Sequence, residues 1–399
     1  MRAITVFALT LAAVAQAFSG CEEIAVARAF QARVGGPERA ALRKVRSLHR
    51  LSSPAVAAHV FSVGGPESAA VRLAQNNPPN ATLTAVPGIK VGHHTLTGRP
   101  TGCTVILAEA GATAGVDVRG AAPATRETDL LAPVNLVQQI HAIVLSGGSA
   151  FGLDSAGGVM KYLEEKGIGF PFGGAHVPTV PGASLFDLPV GNPTIRPTAD
   201  CGYQAAKRAT AAAVQEGSVG AGAGATIGKT NGFEHAMKAG IGSAAIKMPN
   251  GLIVAALVAV NAAGDVIDPA TGTVVAGVRT SDGKGFADAR VLLRTGVIPR
   301  SRPGENTTLG VVATNATLTK TQATRVAQMA HDGFARAISP SHTPVDGDVI
   351  FALATGAQSG GDVGQVGELA AEMIADAIVR AARQATSVPG FPALRDLPR

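Results

Sequence analysis

From residue 86 onward, short apolar runs alternate with glycine-rich turns and with longer stretches of helical spacing. The runs 104–108, 142–145, 253–260, 309–314 and 349–354 are almost wholly apolar and are read as strands buried on both faces. Helices are expected over 150–165, 205–216, 319–338 and 363–386. Thr319 with Gln322 fits a capping box, and Ala323, Val326, Ala327 and Ala330 recur at helical spacing behind it. Strands interleaved with helices make a layered α/β or α+β domain, and no internal break divides it in two.

The first 80 residues read differently. Arg2, an apolar run to Val14 and Ala15-Gln16-Ala17 form an export signal over residues 1–20. Phe18-Ser19-Gly20-Cys21 resembles an imperfect bacterial lipobox, which would make Cys21 a lipid anchor. The expected location is therefore exported, periplasmic or extracellular, and cytoplasmic if the segment is not a signal. Residues 21–80 form a basic, partly disordered extension. Within it Val-Gly-Gly-Pro-Glu occurs at 34–38 and 63–67, too few copies for a solenoid. The breaker cluster Asn76-Asn77-Pro78-Pro79-Asn80 closes it, so the folded domain spans 81–399.

The net charge of +6 changes meaning once it is located. Residues 1–77 carry nine Lys/Arg against four Glu, so the main body is nearly neutral. With no Trp and two Tyr there is also little to build a base-stacking platform from, and no nucleic-acid partner is expected. Gly (49) and Pro (24) together fall below the share of about 25 to 30% that marks a low-complexity chain.

Several motifs have ordinary readings. Cys21, Cys103 and Cys201 are too scattered for a disulfide framework or a thiolate metal site and are read as small buried residues. His93 and His94 point to opposite faces if on a strand and cannot easily share a metal. Gly220 to Thr230 reads GAGAGATIGKT, but a phosphate loop needs Gly where Ala223 stands. Gly147-Gly148-Ser149-Ala150-Phe151 approaches a nucleophile elbow, yet Phe151 replaces the second required Gly. It is read as a tight turn with Ser149 capping the helix at Ala150.

Asn306-Thr307-Thr308 stands at the entrance of the strand 309–314, and Asp346-Gly347-Asp348 stands immediately before the strand 349–354. The Thr pair alone could be ordinary β-propensity. The two carboxylates, spaced by two, repel each other unless a cation or proton is near, and Lys229 is a candidate.

These segments, together with Ile227-Gly228-Lys229, Val258-Ala259-Val260-Asn261, Gly147-Gly148-Ser149-Ala150-Phe151-Gly152 and Gly115-Val116-Asp117-Val118-Arg119-Gly120, resemble the self-processing DmpA family. That family includes D-aminopeptidase/esterases, β-peptidyl aminopeptidases and the nylon-oligomer hydrolases. The likeness runs from 86 to 382 in the family's motif order. It implies an α+β fold, a four-layer αββα sandwich of the N-terminal-nucleophile-hydrolase type. It also implies self-cleavage between Asn306 and Thr307, giving an α fragment to 306 and a β fragment 307–399, held together and assembled as a homo-oligomer. Thr307, Asp346 and Asp348 are similar to the nylon-oligomer hydrolase branch; β-peptidyl aminopeptidases carry Ser and Glu at the acidic pair.

The implied chemistry is coherent. A Thr hydroxyl needs a neighbouring base, and the α-amine freed by the cut, with an ordinary pKa of about 7.7 to 8.0, is one. Lys229, Asp346 and Asp348 would orient that amine, and the Asn261 side-chain amide would donate to the oxyanion. Where some members have an oxyanion Tyr, this chain has Phe186, so a backbone amide or water must substitute. Glu127, with Asp129, is a candidate to hold a substrate's free ammonium, against the plainer reading of a salt-linked turn. No cofactor or metal is needed. The expected activity is that of an aminopeptidase on small peptides or amides, with endo-hydrolysis of amide oligomers second. A non-catalytic exported binding protein is the alternative from another class, and a nucleotide-dependent kinase a distant third.

Overall fold

The structure, a computed structural model, describes residues 78, 80–298 and 305–397. The export segment, Cys21 and the Val-Gly-Gly-Pro-Glu copies lie outside them. Among the described residues, nine strands join through backbone hydrogen bonds: β1 (Lys90–Thr95), β2 (Gly102–Val118), β3 (Thr125–Arg126), β4 (Ile140–Ser146), β5 (Gly182–Ser184), β6 (Ile241–Lys247), β7 (Ile253–Ala259), β8 (Leu309–Ala316) and β9 (Val349–Gln358). Their order is β6-β7-β8-β9-β2-β4-β5-β3, with β1 also on β2. The helices are α1 (Ser155–Glu164), α2 (Ala199–Lys207), α3 (Ala289–Arg294), α4 (Lys320–Ala337) and α5 (Val363–Gln384).

Strand β2 serves two layers. Its first half pairs with β1 and β4, and its second half with β9. The register shifts between Leu107 and Ala112, and Gly111 there adopts φ 85, a left-handed backbone that favours glycine. The path therefore doubles over into two stacked sheets.

Alternate residues of the central strands part to opposite faces. Leu257, Val311, Ala313, Phe351 and Leu353 meet Ile106, Ile143 and Leu145 between the sheets. Val258, Val312 and Ile350 instead meet Val326, Phe334, Ile374 and Ile378 of α4 and α5. On the far side, Val105 and Val144 pack against Val159 and Leu163 of α1 and Ala205 of α2. The layers run α1/α2, sheet, sheet, α4/α5, a four-layer αββα sandwich. Because both sheet faces are covered, the strands read as unbroken apolar runs.

Some local expectations meet corrections. The capping box of Thr319 and Gln322 is formed. The helix expected over 205–216 lies at Ala199–Lys207 instead. Thr210 exchanges backbone hydrogen bonds with Val91 of β1, and this pairing draws the alanine-rich stretch out of helical geometry despite its propensity. Ser149 does not cap a helix: it sits at φ 57 and opens a 3-10 turn, Ser149–Asp154, that leads into α1. Cys103 and Cys201 are not separate buried thiols but a disulfide that ties β2 to α2 across 98 residues of sequence.

Candidate active site

Strand register gathers the chemistry at one end of the sheet. β8 and β9 are parallel, with Leu309 opposite Val349, so the residues preceding them also lie side by side, and Asn306 bridges to Asp346. β7 is antiparallel to β8 with Ala259 opposite Leu309, which brings Asn261, two residues past the strand end, beside Thr307. The Thr307 amide donates to the Asn261 carbonyl at 2.9 Å. The Thr308 amide donates to Asp348 Oδ1 at 2.8 Å, and Val349 N donates to the Thr308 carbonyl at 3.1 Å. Asn306, Thr307 and Thr308 are all buried.

The peptide bond between Asn306 and Thr307 sits in an unusual surrounding. Thr307 Oγ1 donates to the Asn306 carbonyl oxygen at 2.5 Å, and the Gly347 amide donates to the same oxygen at 2.8 Å. The carbonyl is thus polarised by a main-chain donor while a hydroxyl lies against it. A Cβ at Gly347 would stand 2.7 Å from that hydroxyl, so only glycine leaves it room.

Lys229 approaches from below the strand ends. It follows the short strand Thr226–Ile227, and its Nζ donates to the Asn261 carbonyl at 3.3 Å and to Asn261 Oδ1 at 3.1 Å. Burial pushes its pKa down to about 7, partly opposed by the charges of Asp346, Glu305 and Asp348. Asp346 is raised, first by burial and then by repulsion from Asp348, against hydrogen bonds from Thr343 and the attraction of Lys229. One face of Asp346 takes Thr343 N and Oγ1; its Oδ1 has no hydrogen-bond partner among the described residues. The two acids therefore point to different neighbours.

The Asn261 side chain is placed differently from the oxyanion role expected of it. Its Nδ2 donates to the Phe186 carbonyl at 3.0 Å, while Oδ1 accepts Lys229 and the Thr226 amide. Gly347 N is the main-chain donor on the Asn306 oxygen. Phe186 enters through its carbonyl, and Asp187 beside it is locked by a buried ion pair with Arg99. Glu127 is exposed at φ 55 just after β3, and Asp129 opens a 3-10 turn, Asp129–Leu131. Among the described residues neither shares a hydrogen bond with the Thr307 cluster. The glycine-rich segment 220–230 is buried throughout, so its amides are not presented to a phosphate.

Two participants carried no signal in the sequence reading. Gly347 is fixed by the space it leaves, and His342 donates to Asp348 Oδ2 from its amide at 3.1 Å and from its ring Nδ1 at 2.9 Å. The position of His342, six residues before Asp348 in a proline-flanked loop, follows no strand or helix period.

Known proteins resemble this chain over the same region. An uncharacterized aminopeptidase of Mycobacterium tuberculosis (strain ATCC 25618 / H37Rv) is 41% identical over 343 residues, 79% of this chain and 97% of its own length. A 6-aminohexanoate-oligomer endohydrolase of Agromyces sp. is 31% identical over 276 residues, 67% of this chain and 73% of its own. Among solved structures, a Burkholderia sp. beta-aminopeptidase superposes with TM-score 0.56 at 24% identity, covering 78% of this chain and 89% of that one. The l-aminopeptidase d-ala-esterase/amidase of Ochrobactrum anthropi, described as a variant of the Ntn hydrolase fold, superposes with TM-score 0.57 at 19% identity over 80% and 90%. These two share the sandwich. The sequence profile of peptidase family S58 matches residues 80–394, and with the aminopeptidase relatives this establishes that the chain belongs to family S58 and is a hydrolase of peptide or amide bonds.

Proposed function

We propose that this protein is an autoprocessing amide hydrolase, an aminopeptidase acting on small peptides or amides, whose nucleophile is Thr307 after self-cleavage at Asn306/Thr307. The observation that carries this reading is the Thr307 hydroxyl and the Gly347 amide converging on the Asn306 carbonyl oxygen. In the precursor, Thr307 Oγ1 attacks the Asn306 carbonyl carbon, and the proton it loses is passed to the Thr307 nitrogen. The tetrahedral oxygen is held by Gly347 N–H. The Asn306–Thr307 C–N bond breaks, and the Asn306 acyl group is left as an ester on Oγ1. Water then hydrolyses the ester and releases an Asn306 carboxylate and a free Thr307 amine.

The freed amine serves turnover. It inherits the Asn261 carbonyl as an acceptor for one of its protons, which leaves the lone pair for the Thr307 hydroxyl. Lys229 donates to that same carbonyl, and its positive charge disfavours protonation of the amine, keeping it a base near neutral pH. The amine takes the hydroxyl proton as Oγ1 attacks the substrate carbonyl and passes it to the departing amine. Water finishes the cycle by hydrolysing the acyl ester.

The exopeptidase reading is supported by the relatives at 41% identity that bear the name aminopeptidase. The endohydrolases of 6-aminohexanoate oligomers at 29–31% identity support hydrolysis within amide oligomers as the second reading. An exported location is supported by the disulfide, which persists in oxidising compartments. Assembly into a homo-oligomer belongs to the same proposal.

Intact mass and activity together test the reading. The wild-type chain should yield a fragment beginning at Thr307. Thr307→Ala should stay folded, uncut and inactive, and Thr307→Ser should still be cut because hydroxyl and amine survive. Amide hydrolysis by a chain shown by mass to be uncut refutes the mechanism, since its base would still be locked in a peptide bond.

A further inference from the structure

The carboxylate of Asp348 is a fork. One prong, Oδ1, holds the Thr308 amide at 2.8 Å; the other, Oδ2, takes both donors of His342. We propose that His342 is a positioning residue for the nucleophile: its Nδ1–H fixes Asp348 so that the other carboxylate oxygen holds the Thr308 amide, and with it the Thr307 hydroxyl, against the Asn306 carbonyl. The inference rests on Thr307 being the nucleophile.

The ring is held at Nδ1 and across its face. A ring nitrogen 2.9 Å from a carboxylate oxygen carries the proton, so Nδ1 donates. His331 of α4 lies with its ring 4.8 Å from that of His342, and Phe334 of the same helix stacks on it at 5.8 Å. His331 is itself anchored, its Nε2 on the Asp117 carbonyl at 3.0 Å. Just past the end of β2, Arg119 and Gly120 donate their amides to the Asp348 carbonyl, which fixes the backbone of the fork.

The backbone at His342 repeats the message. It sits at φ 54, left-handed, where non-glycine residues are uncommon and Asn, Asp and His are the tolerated exceptions. Such a conformation persists where its surroundings over-determine it, commonly at functional sites. Here it lets the amide and the ring nitrogen of one residue reach the same oxygen. The Nε2 atom, by contrast, is buried and has no hydrogen-bond partner among the described residues. Only the Nδ1 side of the ring is used.

That asymmetry defines the test. Asn places an amide N–H where His has Nδ1 and accepts a left-handed backbone; Gln reaches instead toward the position of Nε2. Wild type, His342→Asn, His342→Gln and Thr307→Ala are produced as full chains. Self-cleavage is followed by intact mass, kcat and KM of the cleaved protein are measured on alanine p-nitroanilide, and melting is recorded. His342→Asn should cleave itself within about threefold of wild type, whereas His342→Gln should lose about tenfold or more in both self-cleavage and kcat, with KM within about twofold. Equal behaviour of the Asn and Gln variants, whether both intact, both slow or both unfolded, overturns the proposal. So does a rise in KM at unchanged kcat. A wild-type chain that stays whole, or an active Thr307→Ala, defeats the nucleophile assignment itself and is read from separate samples.

Discussion

Gly347→Ala pushes the reacting hydroxyl away from its carbonyl by an amount the structure sets. The added Cβ would lie 2.7 Å from Thr307 Oγ1 and 2.5 Å from the Ala122 carbonyl oxygen, whereas ordinary contact begins at 3.4 Å. Ala122 contributes backbone, and its own amide is tied to the Asp346 carbonyl, so it yields poorly. The hydroxyl must then retreat by about 0.7 Å, or the Gly347 amide must leave the Asn306 oxygen; misplacement on the order of 1 Å can cost about 100-fold in rate. Loss of one oxyanion donor costs about 100- to 1000-fold, so by either route self-cleavage should slow by about 100-fold or more. Overpacking lowers stability by about 1 to 3 kcal/mol, which a chain of ordinary stability, about 5 to 15 kcal/mol, survives. The assay is a time course of intact mass after pulsed expression, with circular dichroism melting as the control for folding. A folded Gly347→Ala chain that cuts itself at the wild-type rate would refute the argument, because the contact between hydroxyl, carbonyl and amide would then not be the reactive one.

Other outcomes follow from groups elsewhere. Burial pushes Lys238 down to about 7, against about 10.4 in an unfolded chain, so between these values the unfolded state binds more protons and stability rises with pH. Lys238→Met should reduce that rise between pH 7 and 9 in urea unfolding, leaving the part that Lys229 contributes; an unchanged slope refutes it. All three cysteines precede Thr307, so the two fragments should separate on denaturing electrophoresis without reductant, and Cys103 and Cys201 should resist alkylation until reduced. Labelling of both in the unreduced, denatured protein would contradict the disulfide. Glu127→Gln should weaken the preference for free-amine over acetylated substrates; an unchanged preference removes Glu127 from ammonium binding.

The buried strands and the start of α4 are legible because unbroken apolar runs and a capping box depend on a few neighbouring residues; they imply a layered domain, and the four-layer sandwich follows from the family resemblance. α2 was misplaced because its end is decided by Thr210 pairing with Val91, far away in sequence. The disulfide was missed for the same reason. In the site, the acidic pair and Lys229 stand out from charge and spacing, whereas Thr307 and Asn261 stand out through the family resemblance. Their hydrogen bonds do not, because whether the Asn261 amide faces Phe186 or a reacting oxygen depends on packing among three separate segments. Gly347 and His342 were invisible in roles that are steric and conformational, properties of space and φ.

Under the cleavage proposed at 306–307, the placement of β8 and β9 between β7 and β2 acquires a different meaning. Everything from β8 to α5 belongs to the shorter piece, while the strands on either flank belong to the longer one. The shorter piece is thus a wedge, zipped by backbone hydrogen bonds along both margins and capped by its own two helices. The shorter piece holds only two strands of the shared sheet, so parting it from the longer one is the same event as melting it. One covalent cut turns a monomolecular fold into an obligate pair, whose melting temperature falls on dilution as that of the uncut chain does not.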